Sequence, residues 1–144
     1  MKLTSPDFTD RGSLPKKFTV DGSGINPSLY IEGVPAGAQS LVLIMDDPDA
    51  VGGNFTHWLV YDIPVVNKIR ENSIPGNQGL NTAGELDYVS PMPPSGTHKY
   101  TFKVYALDKI LGLPEGARRQ TVEQAMQGRI LEQAEIIGLY ERNI

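Results

Sequence analysis

The stretch Ser40-Leu41-Val42-Leu43-Ile44-Met45, followed at once by Asp46-Asp47-Pro48-Asp49, decides the fold class. A short continuous apolar run is what a strand buried on both faces requires. The run stops where Pro48 removes a backbone donor and ends the ladder. Two further strands are read outward from it. In Phe55 to Ile63, period two puts Phe55, His57, Leu59, Tyr61 and Ile63 on one face, and Thr56, Trp58, Val60 and Asp62 on the other. In His98 to Leu107, His98, Tyr100, Phe102, Val104 and Ala106 share one face. Lys99, Thr101, Lys103, Tyr105 and Leu107 share the other.

The punctuation agrees with a β-rich chain. Fifteen glycines and eleven prolines are dispersed between short apolar runs. There is no internal repeat, heptad or low-complexity tract. Val66 to Asp87 reads as a long irregular stretch, the kind that tends to carry function or move. One helix is predicted near the end. Thr121 and Gln124 form a T-x-x-Q capping box, and Val122, Met126, Ile130, Ala134 and Ile137 recur at helical spacing. Gly128 weakens its centre by roughly 1 kcal/mol relative to alanine. Its other side is polar, so it should lie on the surface of the sheet. A short strand, Gly138 to Arg142, is expected after it.

A chain of 144 residues fits one domain over residues 1–144 with a real core. Charged residues are 21% and hydrophobic residues 40%, the balance of a soluble globular protein. The formal net charge of −4 provides no global field for nucleic acid or an anionic membrane, so any bound anion must be held by local groups. The absence of cysteine excludes disulfides, thiolate nucleophiles and cysteine-based zinc sites. No apolar run approaches the roughly 18 residues of a membrane span, and the N-terminus has no signal-like apolar region. A cytoplasmic location is expected.

Chemistry concentrates around the only two histidines, His57 and His98. Each stands near the start of a strand, on a face that continues into apolar residues. That places a polar head at the rim of a core, where a pocket mouth forms. Two turn-rich segments flank them, Asp46-Asp47-Pro48-Asp49 and Ser90-Pro91-Met92-Pro93-Pro94-Ser95-Gly96. If the three strands are neighbours, these loops, the histidines and Tyr100 meet at one end of the sheet.

Three segments carry a family resemblance: Asp47-Pro48-Asp49-Ala50, His57-Trp58 before an apolar strand, and Pro93-Pro94-Ser95-Gly96-Thr97-His98-Lys99-Tyr100. Phe18-Thr19-Val20-Asp21-Gly22, Gly33-Val34-Pro35, Tyr105-Ala106-Leu107-Asp108 and Ile137-Gly138-Leu139-Tyr140 support them. Together, in this order over nearly the whole chain, they resemble the phosphatidylethanolamine-binding protein family, which includes the Raf kinase inhibitor proteins, and especially its short bacterial and archaeal branch. The resemblance implies a mainly β fold of two antiparallel sheets with a C-terminal α-helix. It also implies a small pocket for phosphate, phospholipid headgroups or phosphorylated residues. Carried over by motif, the ligand-binding residues are Asp47, Asp49, His57, His98 and Tyr100, with the Met92 backbone nearby. A cis peptide within Ser90 to Pro94 is also implied. The chain departs from the pattern at Val20 and Met92, where relatives often carry cysteine, and at Lys99, where arginine is frequent. A tryptophan usual near Leu29-Tyr30 is absent as well. On the strand phasing, Lys99 faces away from the pocket.

Histidine, tyrosine and backbone N–H groups supply donors for a phosphate. The aspartates look misplaced beside an anion. One can accept from a histidine, fixing its tautomer and favouring its protonated form, or accept from a protonated phosphate oxygen or a ligand ammonium. Anion affinity should therefore strengthen as pH falls toward roughly 6 to 7. Three functions follow as expectations. The first is a regulatory binding module for a phosphate-containing small molecule or phosphorylated protein. The second is a kinase or protease inhibitor acting through Val66 to Asp87. The third is a hydrolase using the His/Asp pocket. The last ranks lowest, because no G-x-S-x-G elbow and no H-E-x-x-H motif is present. No metal, cofactor or catalytic residue is expected, and a homodimer is suggested by the resemblance alone.

Overall fold

The computed structural model describes residues 1–142. In chain order the elements are β1 (Lys2–Thr4), β2 (Gly12–Ser13), a single 3-10 turn (Lys16–Phe18), β3 (Leu29–Glu32), β4 (Ser40–Asp47), β5 (Phe55–Ile63), β6 (Lys68–Ile69), β7 (Asn77–Gln78), β8 (His98–Leu107), α1 (Arg119–Met126) and β9 (Ile130–Tyr140). A six-stranded sheet has the order β2-β9-β8-β4-β5-β7, and a three-stranded sheet the order β1-β3-β6. The pairs are antiparallel except the two-residue β2–β9 contact, which is parallel. The mainly β fold of two sheets with one α-helix in the C-terminal part is thus present.

β4 lies at the centre of the large sheet and is buried along its whole length, which explains its unbroken apolar run. Leu41, Leu43 and Met45 face the small sheet and pack with Leu29, Ile31, Trp58, Val60, Phe102 and Val104. Val42 and Ile44 face the other way, where Leu59, Tyr61 and Leu107 meet Val122 and Met126 of α1. The central sheet is therefore covered on both sides.

β5 departs from simple alternation. Met45 stands opposite Trp58, but the next residue of β4, Asp46, stands opposite Thr56. His57 is the extra residue of a β-bulge, which puts His57 and Trp58 on the same side of the sheet. A second irregularity spans Leu41 and Leu43 of β4, opposite Ile63 and Val60. There Asp62 adopts a left-handed backbone (φ 53°). Ile63 returns to the inner core, whereas Leu59 and Tyr61 face α1. The single face expected for Phe55, His57, Leu59, Tyr61 and Ile63 is thus divided by two bulges.

The C-terminal helix is shorter than its sequence pattern implies. It ends at Met126, and Gly128 takes a positive φ of 73° that turns the chain. Arg129 N–H then closes onto Met126 O at 2.9 Å. Gly128 is a terminator in the left-handed conformation, not a weak centre. Ile130, Ala134 and Ile137 belong to the eleven-residue β9, where pairing along the length of β8 satisfies their backbone groups. The helix also starts two residues before Thr121, and its N-cap, Arg118, makes no side-chain cap bond. The Thr121–Gln124 capping box therefore does not begin it. As expected, α1 lies on the sheet.

Val66 to Asp87 is mostly irregular, interrupted only by the short β6 and β7. It is nevertheless tied along β5 and the lead-in to α1. Gly79 N–H donates to Leu59 O at 2.9 Å, Leu80 N–H to Ala117 O at 2.9 Å, and Trp58 Nε1–H to Gln78 Oε1 at 2.8 Å. A Cβ on Gly79 would lie 2.5 Å from Leu59 Cδ2 and 2.8 Å from the Ala117 carbonyl oxygen. Gly79→Ala is expected to destabilise the protein by about 1–3 kcal/mol through overpacking. Chemical denaturation should show a lowered midpoint with an unchanged slope.

Candidate functional site

A cavity of about 210 Å³ opens where β4 ends, β5 begins and β8 begins. It is lined by Asp47, His57, Met92, His98 and Tyr100, all expected from the sequence. Asp49, the sixth expected residue, does not line it. Antiparallel pairing of β4 with both neighbours brings the three segments together, because the C-terminal end of β4 meets the N-terminal ends of β5 and β8.

Each histidine is fixed through Nδ1. His57 Nδ1 lies 2.7 Å from Val89 O, a carbonyl that can only accept, so Nδ1 carries the hydrogen. Val89 N–H in turn donates to His57 O at 3.0 Å. The bulged residue is thus held by both its backbone and its ring. His98 Nδ1 lies 2.7 Å from Asp47 Oδ2 and donates to it in the same way. Nε2 of both rings makes no hydrogen bond among the described residues and is the atom left for a ligand. Between the rings stands Tyr100. His57 meets it edge-on at 5.3 Å between centroids, and His98 stacks on it at 6.3 Å. The fully buried Tyr100 hydroxyl meets no partner in full hydrogen-bond geometry among the described residues; the acceptor it approaches is the Asp47 carboxylate. Burial and the Asp47 charge push its pKa well up, so it remains an O–H donor.

The aspartates are committed to other partners. Asp47 receives His98 on Oδ2 and the Asp49 N–H on Oδ1 at 2.9 Å. Asp49 receives the Lys99 N–H on Oδ2 at 2.8 Å and the Lys99 ammonium on Oδ1 at 3.2 Å. The Lys99 backbone bond, followed by its charge, holds the Asp49 carboxyl below the usual carboxylate range. Asp49 thus latches the turn after β4 onto β8, outside the cavity. Lys99 does face away from the pocket, as the phasing requires. Asp46 turns to the opposite face, where the Arg119 guanidinium bridges it to Thr56 Oγ1. This role of Arg119 was not read from the sequence. Only its position at the start of a helix covering that face could have pointed to it.

The remaining walls are mainly apolar. Ala50 and Val51 come from the β4–β5 connection, Phe55 from the start of β5, and Val89, Pro93 and Pro94 from the segment before β8, with Ser90 between them. Gly52 and Gly53, at φ 87° and 113°, allow the β4–β5 connection to fold over the opening. Their pairing after Asp-Pro-Asp was the available signal for that wall. The implied cis linkage in Ser90 to Pro94 is not present, since every described peptide bond is trans. This wall is held instead by Val20 N–H donating to Pro91 O at 3.1 Å and by the His57–Val89 pair.

The sequence and the fold have counterparts among known proteins. The family model "Phosphatidylethanolamine-binding protein" matches residues 4–141. The chain is 44% identical to a UPF0098 protein of Methanothermobacter thermautotrophicus, covering 99% of both chains. It is 47% identical to a UPF0098 protein of Aquifex aeolicus, covering 99% of this chain and 90% of that protein. The crystal structure of CT736 from Chlamydia trachomatis, described as a homolog of phosphatidylethanolamine-binding protein, superposes with a TM-score of 0.95 at 42% identity. It covers 99% of this chain and 97% of that one. Escherichia coli YbcL, described as a member of the mammalian family, gives a TM-score of 0.89 at 27% identity, with 99% and 98% covered.

Burial, the largest effect, lowers the His57 pKa below its ordinary 6.5 despite the Val89 bond and the Asp47 charge. The folded state therefore binds this proton less readily than the unfolded chain. The stability contributed is complete above about 6.5 and is lost as pH falls through that value toward the folded pKa. Chemical denaturation between about pH 7 and 5 should show falling stability, and His57→Gln should flatten that slope. Nitrogen NMR at pH 8 should show both imidazoles as Nδ1–H tautomers, and Asp47→Ala should release that preference at His98 only.

Proposed function

Given that the chain belongs to the phosphatidylethanolamine-binding protein family, we propose that its cavity binds a small phosphate-like anion. The anion would be carried by a phosphorylated small molecule, a headgroup or a protein side chain. We propose further that the protein acts as a regulatory binding module and not as an enzyme. The observation that carries the reading is the pair of imidazoles on the cavity wall, each tied through Nδ1 and with no hydrogen bond at Nε2 among the described residues. Both Nε2 atoms remain for the same ligand.

No lysine or arginine lines the cavity. With Nδ1–H committed, a neutral imidazole presents a lone pair at Nε2. It can receive a hydrogen from a P–OH group, or it must gain a proton before donating to a phosphate oxygen. Both routes favour lower pH. The second ionisation of a phosphate ester lies near 6, so its protonated monoanion gains ground as pH falls. The second route has the same sign: an anion raises the His57 pKa in the complex. Affinity then rises as pH falls through the complex's value and levels off below that of the free protein.

Calorimetric titration with inorganic phosphate tests the reading. Saturable binding should strengthen at least about fivefold from pH 8 to pH 6. His98→Ala, which removes one Nε2 and the partner of Asp47, should weaken it by about tenfold or more. Absence of saturation, or a flat profile between pH 5 and 8, would overturn it.

A further inference from the structure

A second cavity, of about 410 Å³, opens on the α1 side of the large sheet, between the start of that helix and the loop after β7. Its charged lining is Arg118 and Arg119, and no carboxylate lines it. The exposed Arg118 guanidinium makes no ion pair and no cap bond among the described residues. Arg119 gives Nη1 to Asp46 and Thr56 and Nε to Glu123, which leaves Nη2 without a partner among the described residues. The Asp87 carboxylate, further along the loop, is turned to Asn81, whose Nδ2 donates to it at 3.0 Å. Asp46 thus offsets and fixes Arg119, and Arg118 supplies the charge that nothing offsets.

Two hydroxyls complete the wall. Thr56 is only 5% exposed, and its Oγ1 accepts from Arg119 at 2.8 Å. Its own hydroxyl hydrogen meets no acceptor among the described residues, although buried donors are ordinarily paired. Thr82 Oγ1 accepts the Thr56 N–H at 2.7 Å, and its hydrogen is likewise without an acceptor among them. Both arginines stand at the start of α1, whose first turn has no side-chain cap and adds partial charge of the same sign. Guanidinium and O–H donors around a space without carboxylates form the donor set of a multiply charged oxyanion.

We propose that this cavity is a second anion site, in which Arg118 and Arg119, with the hydroxyls of Thr56 and Thr82, hold a phosphate dianion. It lies across the sheet from His57 and His98 and does not depend on the anion reading of their cavity. The two sites differ in sign of pH dependence. Arginine stays charged throughout the neutral range, and a phosphate gains its second charge as pH rises. Affinity at Arg118 therefore holds or increases from pH 6 to pH 8, whereas the histidine cavity weakens over the same range.

Titration with inorganic phosphate at pH 8, followed by the amide NMR signals of Thr82, Arg118 and Arg119, tests the proposal. The shifts should saturate, with the same Kd within about twofold in the native protein and in His98→Ala. Arg118→Gln removes an exposed side chain without partners, so the fold should persist, seen as unchanged β8 signals. It should weaken the binding at least about fivefold. Methyl phosphate separates a phosphate monoester, which binds as well as the free ion, from inorganic phosphate alone, whose site rejects it; either result supports the site. Shifts that stay linear in phosphate, or a Kd unmoved by Arg118→Gln, overturn the proposal. Shifts lost in His98→Ala overturn it too, because they then belong to the histidine cavity. If only the histidine cavity fails to bind, the proposal stands and the earlier reading falls.

Discussion

One additional residue in β5 organises the site. Opposite a single step of β4, from Met45 to Asp46, the partner strand advances two residues, from Trp58 to Thr56. Strict alternation would send His57 to the α1 side with Leu59 and Tyr61. The bulge instead puts it beside Tyr100, while Trp58 keeps its place in the core between the sheets. A bulge leaves a residue out of the ladder, so its backbone needs another partner. Val89 supplies it: its N–H meets the His57 carbonyl, and its carbonyl receives the His57 ring hydrogen. The same residue therefore repairs the ladder and sets the tautomer.

The charges follow a related logic. Three aspartates within four residues would repel an anion if all faced it. They are separated by backbone direction and by partner: Asp46 goes to Arg119, Asp47 to His98, and Asp49 to Lys99. The two salt bridges made by Asp46 and Asp49 are only partly buried, where ion pairs contribute modestly to stability. Their larger effect is positional. Asp47 is the only acidic side chain on the cavity wall, and its charge is spent orienting an imidazole and holding Tyr100 protonated.

The C-terminal part shows how tertiary pairing overrides local pattern. Val122, Met126, Ile130, Ala134 and Ile137 are spaced for one helix, yet only Val122 and Met126 lie on it. β8 has ten residues and would expose a long row of backbone groups without β9 beside it. Closing that edge outweighs two further helical turns. Gly128 makes the reversal inexpensive, because its positive φ costs little without a Cβ.

The amino-acid sequence by itself determined the central strands. A run such as Leu41 to Met45 can be buried on both faces only at the middle of a covered sheet, and β8 alternates from His98 to Leu107 without interruption. It also named five of the residues that line the cavity, the two histidines from their place at strand starts beside turn-rich segments and the others through the family resemblance. Only the tertiary structure decided which way His57 points and where the aspartates go. A bulge depends on the register with β4, and a carboxylate's partner depends on distances across 51 positions for Asp47 and His98. Neither is encoded in local periodicity. The surroundings of the Tyr100 hydroxyl likewise emerged only when its neighbours were in place: burial removed water from it and left the Asp47 carboxylate as the acceptor it approaches.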